Sequence, residues 1–369
     1  MKNLILSMLL FISIYSFPQG NPPWERPLKI AWSDNGITFT NTSIFQDSSG
    51  VPSLVKWKGD TLACVFQWFR QPINSSTWDK VAVKFSYDAG QSWTNPTPII
   101  VNGLPANYQR PFDPTLAVIS SDSLRVYFSS SDGMPLGGLD SIVNTYSAIS
   151  TDGINYNYEP NPRFDHPTKP VIDPAAIYFN GSWHYEAPAG APQDGAFHCI
   201  SNNGINFIQQ TDFLSDNSHN WTGNFMLENS GELRFYGSGQ SVWYNSSSDG
   251  YFWQGYINTN IVGGDPSVEK LGDANYLAVF VGTPYTVEVT ENTIIERQIQ
   301  IFPNPFTREI SLLPNTFNDC FCILTNPIGQ IIWSGVQIEH QDFSSLVAGL
   351  YFLRVNAKNS IQTIKIIKK

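Results

Sequence analysis

Charged residues and cysteines are scarce in this sequence of 369 residues. Asp, Glu, Lys and Arg together make up 14% of the chain, against roughly a quarter in an average globular protein. The 21 basic residues form no cluster and are outnumbered by 31 acidic ones, which gives a net charge of −10. This balance disfavours nucleic acids and anionic membranes as partners. Four cysteines in apolar, strand-like contexts indicate buried free thiols, so a core must stabilise the fold without disulfides.

Long hydrophobic runs are absent from the interior of the sequence. No internal run approaches about eighteen apolar residues, so no stable membrane insertion is predicted for the mature protein. One shorter apolar stretch, from Leu4 to Tyr15, follows Lys2 and ends before Gly20. A charged start followed by a short apolar region predicts a signal peptide over residues 1–19. A retained membrane anchor is the alternative.

Aromatic residues, glycine and proline are abundant instead. Aromatics make up 14% of the chain, with 27 Gly and 25 Pro, a composition that predicts an all-β extracellular protein. One motif recurs five times, as SDNGITF, SYDAGQSW, STDGINY, SNNGINF and SSDGYFW, with its glycine at Gly36, Gly90, Gly153, Gly204 and Gly250. It predicts a hairpin turn in which Asp or Asn binds the backbone, Gly takes positive φ and the aromatic packs between sheets.

A second repeated pattern, two short strands around a turn, precedes four of these glycine turns. The two patterns together make one four-stranded blade of about fifty residues. The hairpin that begins at Asp265 has no glycine turn after it, and LKIAWSDNGITF at the N-terminus has the turn but no hairpin before it. Joining the two ends completes a blade and removes exposed sheet edges. The sequence therefore predicts a five-bladed β-propeller over residues 22–290, closed by its N- and C-terminal strands; an open sandwich is the alternative.

The first strand of each blade is expected to begin near the central axis, so residues at that position would meet at the mouth of one funnel. They are Val51, Asp113, Asp173, Asn224 and Asp265. Clustered carboxylates repel each other, which raises some of their pKa values. Carboxyl pairs with separated pKa values suit hydrolysis of a glycosidic bond. Asp before Pro also caps turns at strand starts, so a structural role is the alternative.

Two segments resemble known propeller families. SYDAGQSW resembles the Asp-box turn of sialidase-type propellers, and VIDPAAIYFNGSWHYEAP resembles an inner strand of family-43 glycoside hydrolases and their five-bladed relatives. The second resemblance implies that Asp173 tunes the pKa of a general acid and that Asp113 is its partner or the general base. The position of the acid falls on Asn224, which cannot donate a proton. Glu186 is therefore expected to substitute as the acid, ahead of Glu228.

Substrate contacts are predicted around the same funnel. Arg110 lies just before Asp113, and aromatics near the blade tops can stack on sugar rings. The candidate substrate-binding residues are Arg110, Asn224, Asp265, Trp183 and Trp221. Most aromatics of a propeller fill the space between blades, so a core role is the alternative for each tryptophan. The histidines lack metal-ligand spacing, so no metal or cofactor is predicted, although the acidic funnel leaves a structural Ca²⁺ as an alternative.

The last seventy residues change character. After a linker at 291–298, FPNPF opens a series of short alternating strands that predicts a small Ig-like β-sandwich over residues 299–369. FPNPF, the later GLYFLRV and the lysine-terminated end resemble the C-terminal sorting domain of type IX secretion substrates of the Bacteroidetes. The resemblance implies that residues 299–369 engage the type IX secretion machinery. The protein is then secreted or attached to the outer-membrane surface.

The combined prediction is a secreted or cell-surface, glycoside-hydrolase-like propeller that acts on or binds a poly- or oligosaccharide. Asp113, Asp173 and Glu186 favour catalysis, whereas Asn224 and Val51 favour a propeller that binds glycan or protein and has lost its acid. A sialidase-like exo-glycosidase is a second alternative. It requires three arginines on the substrate carboxylate, and no sialidase arginine motif is present at the strand starts.

Overall fold

The computed structural model describes residues 26–70, 76, 78–133, 143–283, 299–313, 320–357 and 360–369. The predicted signal peptide and linker lie outside the described residues. The chain divides into two compact units, Met1–Thr286 and Val287–Lys369. Strands dominate both units, which confirms the all-β class. No helix among the described residues is long and apolar enough to cross a membrane.

The first unit is built from short antiparallel strands. In chain order they are β1 (Leu28–Ser33), β2 (Phe39–Gln46), β3 (Ser49–Lys58), β4 (Thr61–Trp68), β5 (Lys80–Ser86), β6 (Thr97–Pro98), β7 (Ile100–Asn102), β8 (Phe112–Ser120), β9 (Ser123–Ser131), β10 (Val143–Ser150), β11 (Asn155–Phe164), β12 (Ala175–Phe179), β13 (Ser182–Pro188), β14 (Ala196–Ser201), β15 (Ile208–Gln209), β16 (His219–Leu227), β17 (Leu233–Gly239), β18 (Trp243–Ser247), β19 (Ile257–Asn258), β20 (Gly264–Gly272) and β21 (Asn275–Val281). One 3₁₀ turn, Pro192–Asp194, lies between β13 and β14.

Within the described residues these strands form five sheets. Sheet 1 is β3-β4-β5-β6, sheet 2 is β8-β9-β10-β11-β7, sheet 3 is β12-β13-β14-β15, sheet 4 is β16-β17-β18-β19 and sheet 5 is β20-β21-β1-β2. Sheet 5 combines both ends of the unit, because β1 pairs with β21 from Leu28 opposite Val281 to Ser33 opposite Tyr276. In sheet 2, β7 adds a fifth strand parallel to β11.

The first strands of the sheets surround a common centre. β3 contacts β8 and β20, β12 contacts β8 and β16, and β16 contacts β20. Apolar clusters fill the space between sheets 1 and 2, 2 and 3, 3 and 4, 4 and 5, and 5 and 1. Their largest fully buried side chains include Trp221, Trp243, Tyr127, Tyr156, Tyr185 and Tyr236. Burial of such aromatic area between sheets is the main stabilising term of this propeller arrangement.

The repeated glycine turns have the predicted geometry. In the turn of sheet 2, Asp152 Oδ1 accepts from the backbone N–H groups of Ile154 (2.8 Å) and Asn155 (2.7 Å). The glycines at the five turns have φ between 68° and 92°, which favours residues without Cβ. Each turn also docks on a neighbouring sheet. For example, the Tyr127 hydroxyl of sheet 2 donates to the carbonyl of Gly204 in sheet 3 (2.8 Å).

The second unit has its own core. Its strands are β22 (Gln300–Phe302), β23 (Ser311–Leu313), β24 (Phe321–Thr325), β25 (Ile331–Gly335), β26 (Gly349–Ala357) and β27 (Ser360–Lys368), with a 3₁₀ turn at Ile338–His340. β22 and β23 form one sheet, and β25-β24-β26-β27 form another. Phe306, Leu312, Leu324 and Leu353 are fully buried between them. Cys64, Cys199 and Cys322 are buried free thiols, as the sequence predicts.

The turn of sheet 2 allows a matched test of this geometry. Hydrogen bonds from Asn155 outweigh the effect of burial and lower the pKa of Asp152 to about 2. We expect Asp152→Ala to destabilise the first unit by about 1 kcal/mol, because two backbone donors lose their acceptor. Asp152→Asn should cost less, since Asn35 and Asn203 accept the same bonds in other turns. Thermal unfolding of the full chain measures both; equal losses would contradict the acceptor role.

Candidate active site

Four sheets begin their first strand in the same strained backbone conformation. Val51, Asp113, Asp173 and Asp265 have φ of 46°, 47°, 51° and 44°, and each is followed by proline. Residues other than glycine seldom adopt this left-handed region, and holding them there costs free energy. Register shifts beside Val51, Asp113 and Asp265 mark β-bulges, which turn the side chains of a strand in a new direction. These four residues therefore occupy equivalent positions in their sheets.

In sheet 4 the equivalent position is Thr222, which corrects the predicted alignment by two residues. Asn224 lies opposite Tyr236 in the ladder, as Thr115 lies opposite Tyr127. Both tyrosine hydroxyls donate to the glycine carbonyl of the next sheet's turn. Asn224 therefore corresponds to Thr115, not to Asp113. The sequence did not reveal this because Gly223 stands where the other sheets have proline, and the register shift in sheet 4 is longer.

Asn224 links three of the first strands next to the aspartates. Its Oδ1 accepts from Thr115 (2.7 Å) and Ser53 (3.0 Å), and its Nδ2 donates to the Pro52 carbonyl (3.1 Å). This network joins the first strands of sheets 1, 2 and 4. Asn224 lines a cavity of about 10 Å³ beside Asp173 and Asp265 and also a second cavity of about 220 Å³. It therefore borders both cavities.

Charge–charge interactions link Asp113, Asp173 and Asp265 in the structure. Burial, followed by the charge of Asp265, raises the pKa of Asp113 to about 7, although Arg110 opposes the rise. Burial and the charges of Asp113 and Asp265 raise the pKa of Asp173 well above its usual range. Burial also raises the pKa of Asp265, against a hydrogen bond from Thr222. All three residues are partly exposed.

Arg110 lies beside this set, as predicted. Its guanidinium forms an ion pair with Asp79, which also accepts a hydrogen bond from Gln67. The Arg110 side chain is 40% exposed, and its charge lowers the pKa of Asp113. A partly exposed arginine next to a protonatable carboxyl can bind substrate hydroxyls as a hydrogen-bond donor.

Glu186 is not at the surface of the site. It lies opposite Ala175 in sheet 3, its exposed fraction is 0%, and neither carboxyl oxygen has a hydrogen-bond partner. Burial, then the charge of Asp173, raises the pKa of Glu186 well above its usual range. An unpaired carboxyl in such surroundings stays protonated and neutral. Glu228, the less favoured acid, binds Lys270 (2.6 Å) in an interior ion pair.

The two predicted tryptophans do not face the aspartates. Trp183 is 7% exposed and packs between sheets 2 and 3, and Trp221 is 1% exposed and packs between sheets 3 and 4. Trp183 also lines the 220 Å³ cavity on the other side of Asn224. Neither side chain presents an open face to the funnel, so the core role is the one that the structure shows.

The arginines needed for a sialidase do not cluster at the funnel. Arg125 binds Glu159 through Nε (2.8 Å) and Nη2 (3.0 Å), and Arg234 pairs with Glu228 (2.7 Å). Arg163 donates to backbone carbonyls of its own strand. These guanidiniums hold sheets and turns together. Among the residues that the structure describes, no group of three or more His, Cys, Asp or Glu could hold a metal ion, and we assign no Ca²⁺ site.

Comparison with known proteins identifies the second unit. Residues 300–369 match the family described as secretion system C-terminal sorting domain. The match confirms the predicted localisation, because this domain directs export through the type IX system to the cell surface or the medium. A comparison with curated proteins found no match for the chain.

Three solved structures with similarity to this chain are glycoside hydrolases. A thermostable family-43 glycoside hydrolase is 11% identical, with a TM-score of 0.47, over 72% of this chain and 88% of its own. The GH43_1 enzyme from Xanthomonas citri complexed with xylose is 12% identical, with a TM-score of 0.45, over 63% and 86%. A variant of a Bombyx mori GH32 β-fructofuranosidase in complex with sucrose is 12% identical, with a TM-score of 0.47, over 94% and 82%. At such identities the similarity concerns the fold alone.

The aspartates should make the stability of the first unit fall as pH rises. A carboxyl with a raised pKa keeps its proton in the folded state after the unfolded chain has lost it, so stability declines between about pH 4 and pH 7. We expect Asp113→Asn to be more stable than the wild type at pH 8. The difference in the free energy of unfolding between the two proteins should be about 1–3 kcal/mol larger at pH 8 than at pH 4.5. Asp122→Asn, an exposed change in sheet 2, is the control. A pH-independent difference would contradict the raised pKa.

Proposed function

We propose that this secreted propeller hydrolyses a glycosidic bond of a poly- or oligosaccharide at the end of its central channel. One observation carries the proposal: Asp113, Asp173 and Asp265 lie at the starts of first strands and are partly exposed, and the charge of Asp265 helps to raise the pKa of both Asp113 and Asp173. Their shared strained backbone adds support, because such strain persists where the surrounding structure enforces it and is frequent at active sites.

Asp173 and Asp113 carry the two catalytic roles in this proposal. Asp173 holds a proton near neutral pH and donates it to the leaving glycosidic oxygen as the bond to the anomeric carbon breaks. Asp113, whose pKa is about 7, accepts a proton from the water that attacks that carbon. Asp265 maintains the raised pKa values of both, and Arg110 binds substrate. Glu186 is fully buried, so proton donation falls to Asp173.

Turnover of chromogenic glycosides and soluble polysaccharides tests the proposal. We expect Asp113→Asn and Asp173→Asn each to lower kcat/KM by about 10²–10⁴, the usual worth of a general acid or base. Asn tolerates the left-handed backbone of both positions, so folding should be preserved, and Asp122→Asn should act as the wild type. Wild-type activity should fall as the pH drops below about 7, because the base Asp113 becomes protonated, and should fall again at higher pH, where Asp173 loses its proton. A variant at either position with full activity would exclude its assigned role.

A non-catalytic saccharide-binding propeller is the second candidate. The burial of Glu186 and the presence of Thr222 and Val51 at two of the five equivalent positions favour it. Glycan binding at the funnel without turnover of any substrate would select this alternative. The dispersed arginines give no support to a sialidase, and sialosides in the same panel test that activity directly.

The sorting domain is proposed to engage the type IX machinery through residues 299–369. Its fold is a separate unit with its own core. Deleting residues 300–369 should therefore abolish export in a host with that secretion system, and the propeller should accumulate in the periplasm. Cell fractionation and immunoblotting measure this result. Normal export of the truncated chain would contradict the assigned partner, and a Tyr87→Ser full-length variant controls for changes in the propeller.

A further inference from the structure

One cavity of the propeller lies away from the three aspartates, between sheets 3 and 4. It has a volume of about 550 Å³, within the range of roughly 300–1,000 Å³ that is usual for small-molecule sites. It shares no lining residue with either cavity of the central channel. Six aromatic side chains line it: Phe213, Trp221, Tyr251, Phe252, Trp253 and Tyr256.

Comparison with the other repeated turns shows that Phe252 is an unusual residue in the wall of this cavity. The position two residues after the turn glycine is exposed in all five turns. Four turns have a polar residue there, namely Thr38, Ser92, Asn155 and Asn206, whereas the turn of sheet 4 has Phe252. Its ring is 81% exposed. The turn does not need an aromatic side chain, because the Phe252 backbone N–H makes the same bond to Asp249 Oδ1 (2.9 Å) as its counterparts make. Exposure of this ring is thus a local feature of the cavity.

Tyr251, like Phe252, differs from the residues at the same position of other turns. Three other turns have isoleucine at its position, Ile37, Ile154 and Ile205. Tyr251 is 43% exposed and packs edge-on against His184 and His198. Two adjacent, partly exposed rings at the mouth of a cavity form a surface suited to the flat face of a ligand.

The remaining lining residues define the chemistry of that ligand. Gln210, Asp212 and Asn245 supply hydrogen-bonding groups, and the lining contains neither Lys nor Arg. Asn245 Oδ1 is occupied by the backbone N–H groups of Ser246 (2.9 Å) and Gly255 (2.8 Å), so bonds to a ligand fall to its Nδ2. Burial and the charge of His184 lower the pKa of His198 to about 4, which makes it neutral. A wall without a cation does not select anions, and apolar ligands would leave the polar groups unpaired.

We propose that this cavity is a second saccharide-binding site, which takes a neutral pyranose of an oligosaccharide chain against Tyr251 and Phe252. The ring C–H face contacts the aromatic surface, and the hydroxyl groups bind Gln210, Asp212 and Asn245. The site lies on the outer part of sheets 3 and 4 and is independent of catalysis at the funnel. It would hold a polysaccharide on the protein whether or not the funnel cleaves it.

The test uses the purified full-length protein and defined probes. A glycan array of neutral oligosaccharides is followed by isothermal titration with maltohexaose, cellohexaose, xylohexaose and mannohexaose, in the Asp173→Asn background to prevent consumption of the probe. We expect at least one hexasaccharide to bind, and Phe252→Asn and Tyr251→Ile each to weaken its Kd at least tenfold. Both changes install residues found at the same position of other turns. Tyr87→Ser, which removes an exposed aromatic ring elsewhere, should leave Kd unchanged.

Several results would overturn the inference. The first is that no probe binds, and the second is an unchanged Kd in Phe252→Asn. The third is a sedimentation experiment in which the wild type is a dimer and Phe252→Asn is a monomer, since a second copy of the chain would then fill the cavity. Binding to the wild type that Asp173→Asn abolishes would place the ligand in the funnel, which supports the proposed function and excludes this site. Loss of turnover in Asp173→Asn with retained binding would support both.

Discussion

The ladder between β1 and β21 is the pairing on which the first unit depends. It joins strands that lie more than two hundred residues apart in sequence, and it places both ends of the unit in sheet 5. Without it, β21 would present an open edge of unpaired backbone groups, which invites misassociation. The apolar clusters on both sides of sheet 5 would also lose one wall. Packing between sheets, the channel and the cavity all presuppose this pairing.

Charge repulsion and backbone strain at the centre of the propeller lower its stability. The charge of Asp265 raises the pKa values of Asp113 and Asp173, and the backbones of all three residues are held in a left-handed conformation. Both features cost free energy. The Asn224 network opposes this cost by joining sheets 1, 2 and 4 through well-aligned hydrogen bonds. A strained backbone next to a hydrogen-bonded network such as that of Asn224 is expected of a preorganised site rather than of a purely structural centre.

Repetition makes deviations within this molecule interpretable. The glycine turns share one hydrogen-bond pattern, so Phe252 and Tyr251 stand out against the residues at the same positions of other turns. The first strands share one bulge, so Thr222 and Val51 stand out against the aspartates. Sheet 4 carries most of these departures. Sheet 4 contains Thr222 near the start of β16 and, one residue before it, Trp221, which lines the aromatic cavity.

Patterns that depend on near neighbours could be predicted from the sequence. The all-β class, the turn geometry around Gly153 and its equivalents and the buried thiols follow from local composition and motif spacing. The sorting domain follows from the resemblance of FPNPF and GLYFLRV to a known family. The approach of Asp113, Asp173 and Asp265 also follows, because a repeat places equivalent residues on one axis. The tertiary structure decided what depends on distant partners. It placed Asn224 out of register with the aspartates, buried Glu186 completely and made Trp183 and Trp221 core residues. Bulge length and burial are set by contacts between sheets, and a linear sequence does not encode them at any single position.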